Sequence, residues 1–211
     1  QSAESEKEYF CKPLATDNPH DLEKQDFIIV TLKAHSAALT ANMLTPLLKN
    51  NTTVVSAVNG LPWWYFYKSN NQYENMRLQS VDPKSLQWDY ITPKRSLGCV
   101  VYPAAEIKAP GHVFHIEGDK FPMGKPDGSI SDRAKTLSKV LIQAGLKSPV
   151  RKKIRDDDDC AYSCETGEHR YSHFADVYPC HCELPPLPSE ITIPDVNESS
   201  GGNKKRKRKP N

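Results

Sequence analysis

The chain reads as an α/β fold, a parallel sheet flanked by helices with an antiparallel extension. Three stretches carry that reading. Asp26-Phe-Ile-Ile-Val-Thr-Leu32 is a largely apolar run of the kind found in strands buried on both faces of a parallel sheet. Thr52-Thr-Val-Val-Ser-Ala-Val58 is a second. Between them Leu39, Met43 and Leu47, joined by Leu44 and Leu48, fall at the i, i+4 spacing of one helical stripe. Strand, helix and strand in about 35 residues make a βαβ unit, whose crossover is right-handed.

The elements follow in order. His35-Ser36 offers a cap for the helix, Pro46 should bend or shorten it, and Asn50-Asn51 ends it. Leu97–Ile107 and His112–Glu117 read as strands joined by a turn at Ala109-Pro110-Gly111. Lys120–Gly124 reads as a third, followed by a turn at Pro126-Asp127-Gly128. Ser131 then caps a helix over Asp132–Ala144, with Leu137, Val140, Leu141 and Ala144 on one face and Gly145 closing it.

Composition divides the chain into three regions. Residues 1–25 are polar with little periodicity, residues 26–155 hold the structured signals, and residues 156–211 form an irregular, Cys-containing tail. With 37% apolar residues and 17 prolines against 10 glycines, a core is expected over part of the length only. The net charge of +2 is misleading, because six of the 28 basic residues sit together in Lys204–Lys209. The first 203 residues carry 22 basic and 26 acidic side chains, a net of −4, which argues against a nucleic-acid footprint. No apolar run approaches the ~18–20 residues needed to span a bilayer, so no membrane partner is expected. The absence of an initiator Met and of a secretory hydrophobic start reads as a fragment or as a processed product.

Two sequence points stand where an open α/β sheet collects ligands, outside the carboxyl ends of its strands. Lys33 follows the first strand and supplies a cation. Asn59 follows the second and offers both a donor and an acceptor, the pairing that carboxamide recognition requires. Taken by spacing alone, Lys33 also reads as a solvated strand-end lysine and Asn59-Gly60 as an ordinary turn.

The strings themselves narrow the choice. Ile29-Val-Thr-Leu-Lys-Ala-His35, Pro46-Leu-Leu48 and Val54-Val-Ser-Ala-Val-Asn-Gly-Leu-Pro-Trp-Trp-Tyr-Phe66 resemble the ketopantoate reductase (2-dehydropantoate 2-reductase) family. Gly98-Cys-Val-Val-Tyr-Pro-Ala-Ala-Glu106, Ala109-Pro-Gly111, Ser131-Asp-Arg133, Ala144-Gly-Leu146 and Ile154-Arg155 follow in the family's order, with Ala15-Thr-Asp-Asn-Pro19 upstream. The resemblance spans residues 12–155, about two-thirds of the chain. It implies an incomplete Rossmann-like sheet and NADPH-dependent reduction of a 2-oxo acid, 2-dehydropantoate, to pantoate. By the same resemblance Lys33 stands near the nicotinamide, Asn59 touches the nicotinamide or substrate, and Gly60 allows close backbone approach.

Three family parts are missing. The chain contains no Gly-x-Gly-x-x-Gly loop for the pyrophosphate, and residues 1–11 contain no glycine. Continuing the family's register from Ile154-Arg155 places Ala161 at the catalytic lysine and Glu165 at the following Asn, so no catalytic residue is assigned. The helical C-terminal domain is unmatched, since the resemblance stops near Asp156. Weak or no NADPH binding and no reductase competence are therefore expected of this chain. A sheet lacking its first βαβ also exposes a strand edge for the N-terminal residues or a protein partner to cover.

In the tail, Cys160, Cys164, Cys180 and Cys182, with His169 and His173, are weak zinc-ligand candidates, because no Cys-x2-Cys pair is present. Disulfides drawn from all six cysteines and unpaired thiols are the other two readings. The family implies a cytoplasmic enzyme, whereas oxidised tail cysteines would imply export. In that case a non-enzymatic secreted or matrix-type protein reusing a reductase fragment as scaffold becomes the alternative. Counting free thiols by mass spectrometry on native material separates these readings. Oxidised cysteines would indicate export, and no detectable tail peptide would indicate a truncated sequence whose tail is not translated in this way.

Overall fold

The computed structural model describes residues 8–156, and the structural statements below concern those. Ala161, the four tail cysteines and the basic run lie outside them. In chain order the elements are β1 (Phe27–Val30), α1 (Ala34–Thr40), a 3-10 run Ala41–Leu47, β2 (Thr53–Ser56), α2 (Leu86–Tyr90), β3 (Ser96–Cys99), β4 (Ala104–Ala109), β5 (His112–Glu117), β6 (Met123–Gly124) and α3 (Asp132–Gln143). β1, β2 and β3 run parallel and β6 joins antiparallel, in the order β1-β2-β3-β6. β4 and β5 form a separate antiparallel pair, turning at Gly111 with φ +75°.

The α/β expectation holds, with local departures. The apolar stripe after β1 divides, because Pro46 has no amide hydrogen and its ring crowds the preceding turn, so the chain continues as a 3-10 run. In consequence Leu47 is buried and Leu44 and Leu48 pack beside it, while Leu39 and Met43 are exposed. The helix starts on Lys33, whose carbonyl accepts from the Ser36 and Ala37 amides, without a side-chain cap from His35 or Ser36. The strand expected over Leu97–Ile107 is two strands, β3 and β4, with Pro103 between them. Lys120–Gly124 keeps only β6 as a regular strand, since Pro122 cannot donate to a ladder and Lys120 forms an isolated bridge to Lys147. On α3 the Ser131 cap is present, its hydroxyl accepting from the Ala134 amide at 3.2 Å, but Val140 and Ala144 face solvent.

The sheet separates two cores. On one face Ile28, Val30 and Val54 pack with Ala37, Ala41 and Leu47 and with Trp63 and Trp64. On the other, Val55, Leu97, Cys99 and Met123 meet Ala134 and Leu137 of α3. Contrary to the expectation of burial on both faces, Ile29 in the edge strand β1 is half exposed, because α3 meets this strand only at its start, through Arg133 on Phe27. The two edges of the sheet differ. Residues 147–151 run along β6, with Met123 N–H donating to Pro149 O at 3.0 Å and Arg151 N–H to Met123 O at 2.7 Å. The outer edge of β1 has no strand partner among the described residues.

Two polar ties hold the lower end of the sheet. Asp26 pairs with Lys49 at 2.9 Å and Arg133 at 3.5 Å. The Lys49 ammonium, by hydrogen bond and charge, and then Arg133 hold the Asp26 carboxyl below its ordinary range. Arg133 also donates to Thr53 Oγ1 at 2.8 Å and to the Asp26 carbonyl, and it stacks on Phe27 at 4.5 Å. The first turn of α3 is thereby fastened to the start of β1 and β2. Within the turn before α3, partial burial pushes the pKa of Asp127 up. Hydrogen bonds from Ser129 and the charge of Lys125 outweigh it, leaving the carboxyl below its ordinary 3.8.

A side chain at position 98 has no room. A Cβ placed on Gly98 would stand 2.5 Å from Trp64 Cζ2 and 3.4 Å from Ile154 Cγ1. Gly98→Ala is expected to destabilise the protein by about 1–3 kcal/mol, read by denaturant unfolding at constant m-value. A change below about 0.5 kcal/mol would show that the Trp64 packing is not tight. Because the Asp127 carboxyl is depressed in the folded state, its contribution is present above pH 3.8 and is lost as pH falls through the folded value. Asp127→Asn should therefore be less stable than the parent at neutral pH, with the two melting curves converging in acid.

Candidate nicotinamide-side cleft

A cavity of about 590 Å³ opens at the carboxyl ends of the parallel strands. Its floor is built by strand register. Ile29 pairs with Val55, and Cys99 pairs with Met123, so side chains of one parity line up across the sheet. Leu137 and Leu141 of α3 form one wall, and Phe121 and Leu146 extend it. The rim is polar, with Thr31, Lys33 and His35 leaving β1 and Asn59 leaving β2. Such a volume lies within the usual range for small-molecule clefts, about 300–1,000 Å³, and an apolar floor with a few polar groups is their common chemistry.

Lys33 and Asn59, three residues past the ends of their strands, line this same cavity and are both solvent-exposed. Gly60 does not line it. Its φ of +93° turns the chain after Asn59, a conformation that favours glycine, and a Cβ there would meet no protein atom within 4 Å. The string around Asn59 divides into two parts. Asn59 stands on the rim, while Trp63 and Trp64 are 4% and 1% exposed in the opposite core. Trp63 meets Trp88 edge-on at 6.1 Å. The indole nitrogens of both tryptophans are buried without a partner among the described residues.

Sequence reasoning did not single out the floor. The signal was available in the alternation Leu97, Cys99, Val101, since residues two apart share a sheet face. Cys99 is buried, its thiol 3.9 Å from the Val100 carbonyl. Phe121 and Leu146 carry no such signal, because the 147–151 pairing along β6 places them.

The arrangement suits one half of a dinucleotide. A nicotinamide ring presents an apolar plane and one carboxamide, which match the apolar floor and the Asn59 and Lys33 rim. A pyrophosphate needs several converging backbone amides, and the described rim has no glycine loop to supply them. Among the described residues no three His, Cys, Asp or Glu side chains cluster as metal ligands. Among them too, no helix is long and apolar enough to cross a membrane.

Comparison with known proteins identifies the family. The family model for ketopantoate reductase PanE/ApbA matches residues 1–128. A 2-dehydropantoate 2-reductase of Mesorhizobium japonicum is 42% identical over 143 residues, covering 68% of this chain and 44% of the relative. A solved structure from Ralstonia solanacearum MolK2, assigned as a ketopantoate reductase, superposes with a TM-score of 0.65 at 34% identity, again over 68% of this chain and 44% of that one. The 2-dehydropantoate 2-reductase of Methylococcus capsulatus shares the fold at a TM-score of 0.53 and 18% identity, over 70% of this chain and 42% of its own. The chain thus spans less than half the length of these relatives. With the family model matched over more than half of the 211 residues, the chain belongs to the ketopantoate reductase family.

Proposed function

We propose that this chain carries the nicotinamide side of a ketopantoate reductase cleft and does not by itself reduce 2-dehydropantoate to pantoate. The observation that carries the reading is the placement of Lys33 and Asn59 on one rim, over an apolar floor, at the carboxyl ends of β1 and β2. In this reading Asn59 positions the nicotinamide carboxamide through its donor and acceptor. Lys33 adds a cation that orients the cofactor or the substrate carboxylate. The floor of Ile29, Val55 and Cys99 excludes water from one ring face. A reduced nicotinamide, when bound, supplies hydride.

Reduction also needs a proton at the developing alkoxide, and the family register reads Ala161 where the proton-donating lysine would stand. Alanine neither donates a proton nor polarises a carbonyl. General acid catalysis contributes about 10²–10⁴-fold, and the missing phosphate cradle removes the binding energy that orients the dinucleotide. A strand completing the bare edge of β1, from a protein partner, belongs to the same proposal.

The test uses the 211-residue protein. No NADPH oxidation is expected with 2-dehydropantoate, and NADPH affinity should be weaker than about 1 mM. At millimolar NADPH, amide shifts should be confined to residues 31–35 and 57–60. They should vanish in Lys33→Ala and Asn59→Ala, whose exposed positions keep stability within about 0.5 kcal/mol of the parent. Stoichiometric turnover would overturn the inactive assignment. Shifts centred elsewhere would overturn the cleft.

A further inference from the structure

At the end of the sheet remote from Lys33 and Asn59, the amino ends of β2 and β3 and the N-terminus of α3 enclose a second cavity, of about 300 Å³. Four cationic side chains line it, Lys94, Arg95, Lys125 and Arg133, and no Asp or Glu does. Carboxylates on the bordering segments are engaged in ion pairs, Asp132 with Lys135 at 3.2 Å among them. Asp127 pairs with Lys125 at 3.5 Å, and Asp26 is shared between Lys49 and Arg133. Lys94 has no carboxylate partner among the described residues. Arg95 donates from Nη1 to the Lys49 carbonyl at 3.0 Å, yet its Nε is buried with no acceptor among those residues. A buried guanidinium N–H without an acceptor is costly, and nothing in the described fold relieves it.

Two hydroxyls on the lining keep a hydrogen to give. Thr53 Oγ1 accepts from Arg133 and Ser131 Oγ accepts from the Ala134 amide, so each O–H is left to donate. Ser131 caps a twelve-residue helix, whose N-terminal partial positive charge adds to that of Lys94 and Arg95, the two lining cations outside the ion pairs with Asp127 and Asp26. The loop presenting Lys94 and Arg95 is held in shape: Thr92 adopts φ +68°, and its carbonyl accepts from Ser96 Oγ at 3.1 Å and from the Arg95 amide at 3.3 Å. A volume at the lower limit of ligand cavities suits a small anion and not a dinucleotide.

We propose that this cavity is a binding site for a phosphate group, held by Lys94 and Arg95 with the hydroxyls of Thr53 and Ser131. Several donors arriving from different elements match a tetrahedral oxyanion better than a planar carboxylate, which two parallel donors satisfy. Inorganic phosphate and a phosphate monoester share this chemistry. The site is independent of the cofactor cleft and stands or falls without it.

The experiment follows backbone amide shifts and the melting temperature of the 211-residue protein during titration with inorganic phosphate or phenyl phosphate. Sodium chloride at matched ionic strength is the control. Saturable shifts at residues 52–53, 94–96 and 131–133, with a rise in melting temperature, are expected. Lys94→Ala should weaken the apparent affinity by tenfold or more and Arg95→Gln by at least as much, while the exposed Lys139→Ala leaves it unchanged. Tighter binding of phenyl phosphate would identify a monoester as the ligand, and equal or weaker binding would identify the free ion. A response that chloride reproduces would overturn the proposal. So would saturable binding that survives in Lys94→Ala, a variant of an exposed side chain that folds even if Arg95→Gln does not.

Discussion

The seating of Trp64 on Gly98 is the contact on which the rest of the arrangement depends. An indole can lie against a strand this closely only where the strand presents no side chain, and Gly98 is that place. Ile154 closes the same contact from the far end of the described chain, 1% exposed. Arg155 follows with donors to the Tyr65 carbonyl at 2.6 Å and the Tyr67 carbonyl at 2.5 Å. Three segments distant in sequence, 63–67, 96–99 and 154–155, are thereby fixed to one another. Since Trp63 and Trp64 must enter the core, residues 57–62 have to cross the carboxyl end of β2, and that crossing puts Asn59 on the rim.

The same packing explains why the sheet is closed on one side and open on the other. Beyond β6 the 147–151 segment supplies the missing ladder partners, and Ser148 Oγ adds a bond to the Phe121 carbonyl at 2.9 Å. Arg133 ties the first turn of α3 to the start of β1 and β2, while Leu137 packs over Val55, Leu97 and Cys99, and Ile29 further along β1 is left half exposed. The uncovered strip, with Ile29 half exposed, is what makes the cavity. Its apolar floor is therefore a property of the sheet. Its polar rim is a property of the two residues that happen to leave the strands there.

Charge is distributed by the same geometry. The carboxyl ends of the strands carry Thr31, Lys33, His35 and Asn59, while the amino ends gather Lys94, Arg95, Lys125 and Arg133 around the start of α3. A mildly acidic chain over its first 203 residues thus contains a local basic pocket. Net charge could not reveal it, because Asp26 and Asp127 neutralise their partners from outside the lining.

Hydrophobic runs and turn residues in the sequence were enough to define β1, β2, β5 and α3, because strand burial and the Ser131 cap depend on local pattern. The strings around Lys33 and Asn59 identified the family, and the strand-end rule put both residues at one edge. The pattern did not show that Leu39 and Met43 face solvent, since a single proline converts the helix to a 3-10 run and rotates the stripe away from the core. Nor did it separate the two roles inside Asn59-Gly-Leu-Pro-Trp-Trp64, rim and core. That division, the Cys99 floor and the basic pocket arise from contacts between residues tens of positions apart. Only the tertiary structure, which sets which strand face each helix can reach, decided them.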